Sequence, residues 1–207
     1  MISRTPTRII RRSALERPLF EEPSAECERP DPWTGPKGFM IGGMALPTTQ
    51  ELGQQYFDAA NCLVEAIKHD ELEDYRLVNP VLYLYRHWME LALKGLIGSG
   101  AHEHDLGQLA ANFEAITRKR FGQVVPRWIT LRFKEMAAID PNSTAFRYAE
   151  VRDKQLKRYV PVDGEIYVSL NHIQEAMAAL NAVFNSLVDG AESAPILVVD
   201  DDEYDAW

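Results

Sequence analysis

Arg86, His87, Glu90 and Lys94 put a guanidinium, an imidazole, a carboxylate and an ammonium into one short stretch, YRHWMELALKGLI, which runs from Tyr85 to Ile97. On a helix turning by about 100° per residue, Tyr83, Arg86, His87, Glu90 and Lys94 share roughly 100° of arc. A guanidinium can hold a phosphate, an imidazole can move a proton, and a carboxylate can orient that imidazole. The same spacing also fits a plainer account. Arg86–Glu90 and Glu90–Lys94 are each four residues apart and can form a surface salt-bridge ladder, worth only a few tenths of a kcal/mol per pair. The stripe can equally bind an anion or a loop, and the residues leave both alternatives open.

Other groups can join this stripe. His102 and His104 flank Glu103 shortly after it, although His104 or Asp105 can instead cap the helix that follows. His87 and Glu90, three residues apart, have a metal-ligand spacing. No second helix supplies a matching carboxylate–histidine pair, so no metal and no cofactor are expected. Arg147 and Tyr148 follow the turn-forming run from Asp140 to Thr144. Arg147 can bridge to Glu90 or another acid, or meet a phosphate. Arg152, Lys154, Lys157 and Arg158 read as a solvated basic face.

The elements that carry these groups are legible from periodicity. A first helix should follow Pro47 and Thr48-Thr49, with Leu52, Tyr56, Ala59, Leu63 and Ile67 as its apolar face. Asn79-Pro80 predicts the start of a second, running to Ile97 and stopping at Gly98-Ser99-Gly100. Outside its polar stripe this helix is apolar, which predicts a central position among the first, third and last helices. A third helix is expected from His104-Asp105, with Leu106, Leu109, Phe113 and Ile116 inward. A fourth opens at Pro126, with Ile129, Phe133 and Met136 inward. Tyr159 to Val168, with Asp163-Gly164 as the two-residue turn, predicts a β-hairpin, and Phe146 to Val151 a further strand. The last helix should run from Leu170 to Val188 on a seam of Leu170, Ile173, Met177, Leu180, Phe184 and Leu187. That seam is short enough for core packing rather than a coiled coil. The expected fold is mainly α: a bundle of about five helices with a small hairpin inserted before the last.

Around this domain, residues 48–190, lie two polar extensions. Residues 1–47 hold most of the prolines and read as an irregular arm, and residues 191–207 form an acidic tail. The net charge of −9 is strongly polarised, at −7 over residues 48–117, +7 over 118–158 and −6 over the tail. Overall acidity argues against indiscriminate nucleic-acid binding, while the basic middle can present a local anion-binding surface. No apolar run approaches a membrane span, and the basic N-terminus lacks the apolar stretch of a secretory signal. Cys27 and Cys62 show neither metal nor redox spacing, which fits a reducing cytoplasm.

Three blocks carry a resemblance. Tyr85-Arg-His-x-x-Glu-Leu-x-Leu-Lys94, His104-Asp-Leu-x-x-Leu109, and Asp140-Pro-x-Ser143 leading into Phe146-Arg-Tyr148 are similar, in that order, to a group of bacterial proteins that resemble the HEPN superfamily. Those are small helical bundles found in RNA-cleaving toxins, phage-defence effectors and nucleotide-binding partners of nucleotidyltransferases. The resemblance covers roughly residues 50–190. It implies an RNA- or nucleotide-handling role in prokaryotic defence or toxin–antitoxin biology, and, for an enzyme, a metal-independent ribonuclease. The superfamily's ribonuclease motif, an Arg followed after four to six residues by a His, is missing here. RNA hydrolysis needs a base for the 2′-hydroxyl and a cation for the phosphate, so Arg86, His104 and Arg147 form a composite candidate catalytic set. His87, Glu90, Lys94, His102 and Tyr148 are candidate binding residues around a cleft near the loops at 100–105 and 140–148. Alternatively the stripe is structural and the chain is a non-catalytic interaction module. The arm and tail would then meet a protein partner or a second copy in a homodimer.

Overall fold

In the computed structural model, which describes residues 46–98, 103–148 and 164–189 together with Phe20 and Val162, the first helix begins where a capping box can form. The Thr48 hydroxyl accepts from the Glu51 amide at 3.2 Å, and the Glu51 carboxylate accepts from the Thr48 amide at 2.8 Å. Two amides that the helix leaves without partners are thereby satisfied. This helix, α1 (Thr49–Lys68), lies in the second of two units into which the chain divides, Met1–Leu46 and Pro47–Trp207.

The buried face of α1 is Gly53, Phe57, Ala60, Val64 and Ile67. Of the expected face only Ile67 is buried. Ala59 is exposed, and Leu52, Tyr56 and Leu63 lie at the boundary. Two apolar series run one residue apart along α1, and packing selects the one whose Phe57 ring meets Tyr85 and Trp88. Gly53 belongs to that series for a steric reason. A Cβ at this position would come within 3.3 Å of Leu91 Cβ, so glycine permits the close approach of the next helix.

That next helix, α2 (Asp74–Ile97), begins six residues before the expected Asn79-Pro80 start and carries Pro80 inside it. Leu77 packs against the core and draws the extra turn into the helix. Pro80 has no N–H to give to the Arg76 carbonyl, so the first part of α2 is held by fewer hydrogen bonds than the rest. Beyond Pro80 the helix buries Val81, Tyr85, Trp88, Met89, Leu91 and Leu93, and with them Arg86 and Glu90. It packs against α1, α3 (Leu106–Phe121) and α5 (Leu170–Asp189), the central position that its composition implies.

Asp105 caps α3 by accepting from the Gln108 amide at 2.9 Å, and Gly122 ends it with φ +65°, the left-handed conformation glycine adopts without strain. Helix α4 (Arg127–Ile139) follows Pro126 and packs on α3, with Ile129, Phe133 and Met136 buried as expected. On α5, Met177, Leu180 and Phe184 are buried, Leu170 and Ile173 partly so, and Leu187 is exposed. The Phe184 ring lies against Trp88, Phe113 and Phe133, and so joins α2, α3, α4 and α5 in one core.

The protein is thus a mainly α-helical bundle, with five helices and no strand among the described residues. The part of the expected hairpin that lies within the described residues is not strand. Glu165 to Ser169 leads into α5 without strand pairing, while Tyr159 to Pro161 and Asp163 lie outside the described residues. Ile166 is 52% exposed and Tyr167 90% exposed, so this segment has no buried face onto which a strand could alternate. Phe146 to Tyr148 is not strand either. The Arg147 and Tyr148 amides turn back to the Thr144 carbonyl at 3.3 and 3.2 Å, and Ala149 to Val151 lie outside the described residues.

Candidate functional site

Two loops cover the Arg86 and Glu90 part of the α2 stripe, while Tyr83, His87 and Lys94 stay partly exposed. Arg86 is fully buried, and all three of its side-chain nitrogens are engaged. Nε donates to the Asp140 carbonyl at 3.2 Å, and Nη2 donates to the carbonyls of His104 at 2.6 Å and Pro141 at 2.8 Å. Nη1 donates to Glu90 Oε2. The Pro141 carbonyl also accepts from the Leu106 amide at 3.0 Å. One guanidinium therefore ties the loop before α3 to the loop after α4, and both to the central helix. The sequence expectation that Arg86 meets a substrate phosphate gives way to loop binding, because its donors are already spent inside the protein.

Asp140 completes the covering loop. Its Oδ1 accepts from the amides of Thr144 at 2.6 Å and Ala145 at 3.1 Å, which folds the chain back after α4. Its Oδ2 lies 3.8 Å from Arg86 Nε and has no hydrogen-bond partner among the described residues. Ser143, with φ +59°, sits in the left-handed region that non-glycine residues rarely adopt, and its carbonyl accepts from Arg147 Nε. Asp140 and Ser143 had no assigned role from sequence beyond marking a turn. The Asp-Pro-x-Ser pattern was the signal, since a short acceptor side chain at the head of a turn captures amides further on.

Glu90 is the hub. It is 1% exposed, and it accepts from Arg86 on Oε2 and from Lys94 Nζ on Oε1 at 2.8 Å. Oε1 also lies 2.8 Å from His104 Nδ1. Burial alone would raise the Glu90 carboxyl pKa, but the hydrogen bonds from Lys94, Arg86 and His104 together outweigh it and hold the group below its ordinary value. Glu90 is therefore a carboxylate at neutral pH and can only accept. That places the proton of a neutral His104 on Nδ1 and leaves the Nε2 lone pair on a ring whose side chain is 69% exposed. A carboxylate holding one imidazole nitrogen while the other faces solvent is the geometry of an oriented general base.

The other end of the stripe is aromatic. The Tyr83 ring stacks on His87 with centroids 5.7 Å apart and planes 9° apart, and Tyr56 meets His87 edge-on at 4.4 Å. Burial lowers the His87 pKa. Glu90 pulls the other way, while Arg86, Lys94 and Arg147 add to the lowering. The Arg147 guanidinium lies 5.9 Å over the Tyr83 ring and 5.2 Å over that of Tyr148, and so joins the aromatic end rather than Glu90.

Of the residues singled out by sequence, the structure gathers His104, Glu90, Lys94 and Arg86 in one hydrogen-bonded corner. It places Arg147 and Tyr148 around Tyr83, about two helical turns before Glu90, with His87 between, less than one turn from Glu90. His102 lies outside the described residues. No set of three or more His, Cys, Asp or Glu side chains is arranged to hold a metal among the described residues. No described helix is long and apolar enough to cross a membrane. A shallow hollow between α1, α2 and α5, lined by Gly53, Trp88, Leu91 and Phe184, includes none of these groups. Comparison with protein-family models, curated proteins and solved structures returns no match.

Proposed function

We propose that this chain is an HEPN-like protein that handles RNA or a nucleotide in prokaryotic defence or toxin–antitoxin biology, and that the His104–Glu90–Lys94 corner does the chemistry. The observation that carries this reading is the 2.8 Å contact from His104 Nδ1 to a buried carboxylate, with the far side of the ring in solvent. The biological setting follows from the sequence resemblance over residues 50–190.

For a ribonuclease the steps need no metal. His104 Nε2 takes the proton of a ribose 2′-hydroxyl, and the 2′-oxygen attacks the adjacent phosphorus. The bond from phosphorus to the 5′-oxygen breaks, and the leaving oxygen receives a proton from the imidazolium or from water. The products are a 2′,3′-cyclic phosphate and a 5′-hydroxyl. The Lys94 ammonium, next to His104 on the same Glu90 oxygen, offsets the charge that builds on the phosphate. Glu90 holds the productive tautomer. Arg86 positions the loop that carries His104, in place of the phosphate contact first assigned to it.

A second reading has its own support. The corner is internally satisfied, with Lys94 and Arg86 both on Glu90, and this suits a non-catalytic module whose stripe is structural. Incubating end-labelled single-stranded RNA with the protein in a chelator separates the two. Cleavage that persists in chelator, leaves cyclic phosphate ends and falls by about 10²–10⁴ in His104→Gln supports the enzyme. Binding without cleavage leaves RNA handling without catalysis, and neither binding nor cleavage removes the RNA reading and selects the interaction module. His104 is exposed, so His104→Gln should melt like the wild type.

A further inference from the structure

The aromatic end of the stripe is built differently from the corner. Tyr83 and His87 stack nearly parallel, and Tyr56 closes His87 from the side. The Arg147 guanidinium then lies over both Tyr83 and Tyr148. Its Nε is tied to the Ser143 carbonyl one turn back, so its plane is held by a hydrogen bond as well as by two rings. Tyr148 remains 54% exposed, and Arg147 is exposed beside it. A tyrosine contributing only to the core would be covered. This tier of flat groups instead rises from the half-buried Tyr56 and His87 and ends in solvent. Flat π surfaces backed by a fixed cation accept another flat ring, and every nucleobase offers one.

We propose that Tyr148 and Arg147, backed by Tyr83, form a shelf on which one unpaired base of a single strand stacks while the strand's backbone runs on toward Lys94 and His104. This rests on the RNA or nucleotide reading of the corner and adds to it the part of the ligand that the corner does not touch. Stacking of this kind tolerates any base. It excludes a base already stacked within a duplex, so the shelf confers preference for single strands. The guanidinium adds attraction to the ring, and its outer nitrogens can reach a flanking phosphate oxygen.

The test measures binding of the full chain to three labelled ligands. They are a single-stranded oligoribonucleotide, the same strand with abasic positions, and its duplex. Wild type should bind the intact strand more tightly than either of the others. Tyr148→Ala should weaken binding of the intact strand by about ten-fold and leave the abasic strand unchanged, while Tyr148→Phe keeps wild-type affinity. Equal affinity for intact and abasic strands overturns the shelf. So does an unchanged Tyr148→Ala, and if Lys94→Ala still weakens binding the corner reading survives without it. If wild type binds neither strand, shelf and corner reading fall together. A proline-rich peptide bound by wild type and lost in Tyr148→Ala would then assign the same rings to a protein partner.

Discussion

Glu90 accepts from three side chains while lying inside the protein, and its removal strands more than itself. In Glu90→Ala the Arg86 guanidinium stays buried without its carboxylate, which should cost about 3–5 kcal/mol of stability, measured by denaturant unfolding. A surface ladder would cost a tenth of that. The pH dependence separates two residues of the stripe. Both His87 and Glu90 have pKa values lowered by folding, so each contributes stability that is present above its unfolded value and lost as pH falls through the folded one. For His87 the loss begins below the ordinary 6.5, and for Glu90 below 4.5. His87→Phe should therefore flatten the stability profile just below pH 6.5 and leave the steeper acid limb in place. A profile unchanged in that window would mean that His87 is not held neutral. Sequence showed that these groups share a face. It did not show that the partners of Arg86 are backbone carbonyls contributed by loops far along the chain, because a carbonyl leaves no mark on residue type.

Among the elements, each helix was legible from its apolar period, and the errors share a cause. Asn79-Pro80 is a strong local start signal, yet α2 begins at Asp74 because Leu77 has a place in the core. Asp163-Gly164 is a strong local turn signal, yet Ile166 and Tyr167 face solvent and no strand forms among the described residues. In α1 the two apolar series at Tyr56 and Phe57 are equivalent in period, and only packing against Trp88 separates them. Local signals were outweighed by contacts distant in sequence. Pro80 offers a direct check. It is exposed and interrupts the ladder of α2, so Pro80→Ala should restore one hydrogen bond and stabilise the protein by about 1 kcal/mol or more. Amide exchange in Asp74–Asn79 should slow in the same variant. At the other extreme, Phe184→Ala empties the contact shared by α2, α3, α4 and α5 and should cost about 3–5 kcal/mol.

For the whole molecule, charge decides how an anionic ligand is met. Arg147, which lies beside Tyr83 of the stripe, belongs to the basic sequence run 118–158, while the tail adds six acids and no base. Removing residues 192–207 raises the net charge from −9 to −3. The shortened protein should bind a single-stranded polyanion more tightly at low salt, with the difference shrinking as salt rises. Equal binding by both forms would leave the tail without influence on the site. The account depends most on the claim that an RNA-like anion binds where His104, Glu90 and Lys94 meet. Side-chain NMR of the histidines and lysines, followed while a short single-stranded oligoribonucleotide is added, tests that claim most directly. The account predicts saturable shifts of the His104 ring and the Lys94 ammonium, with His69 and His172 unmoved. Saturable binding that leaves His104 and Lys94 unshifted would contradict it.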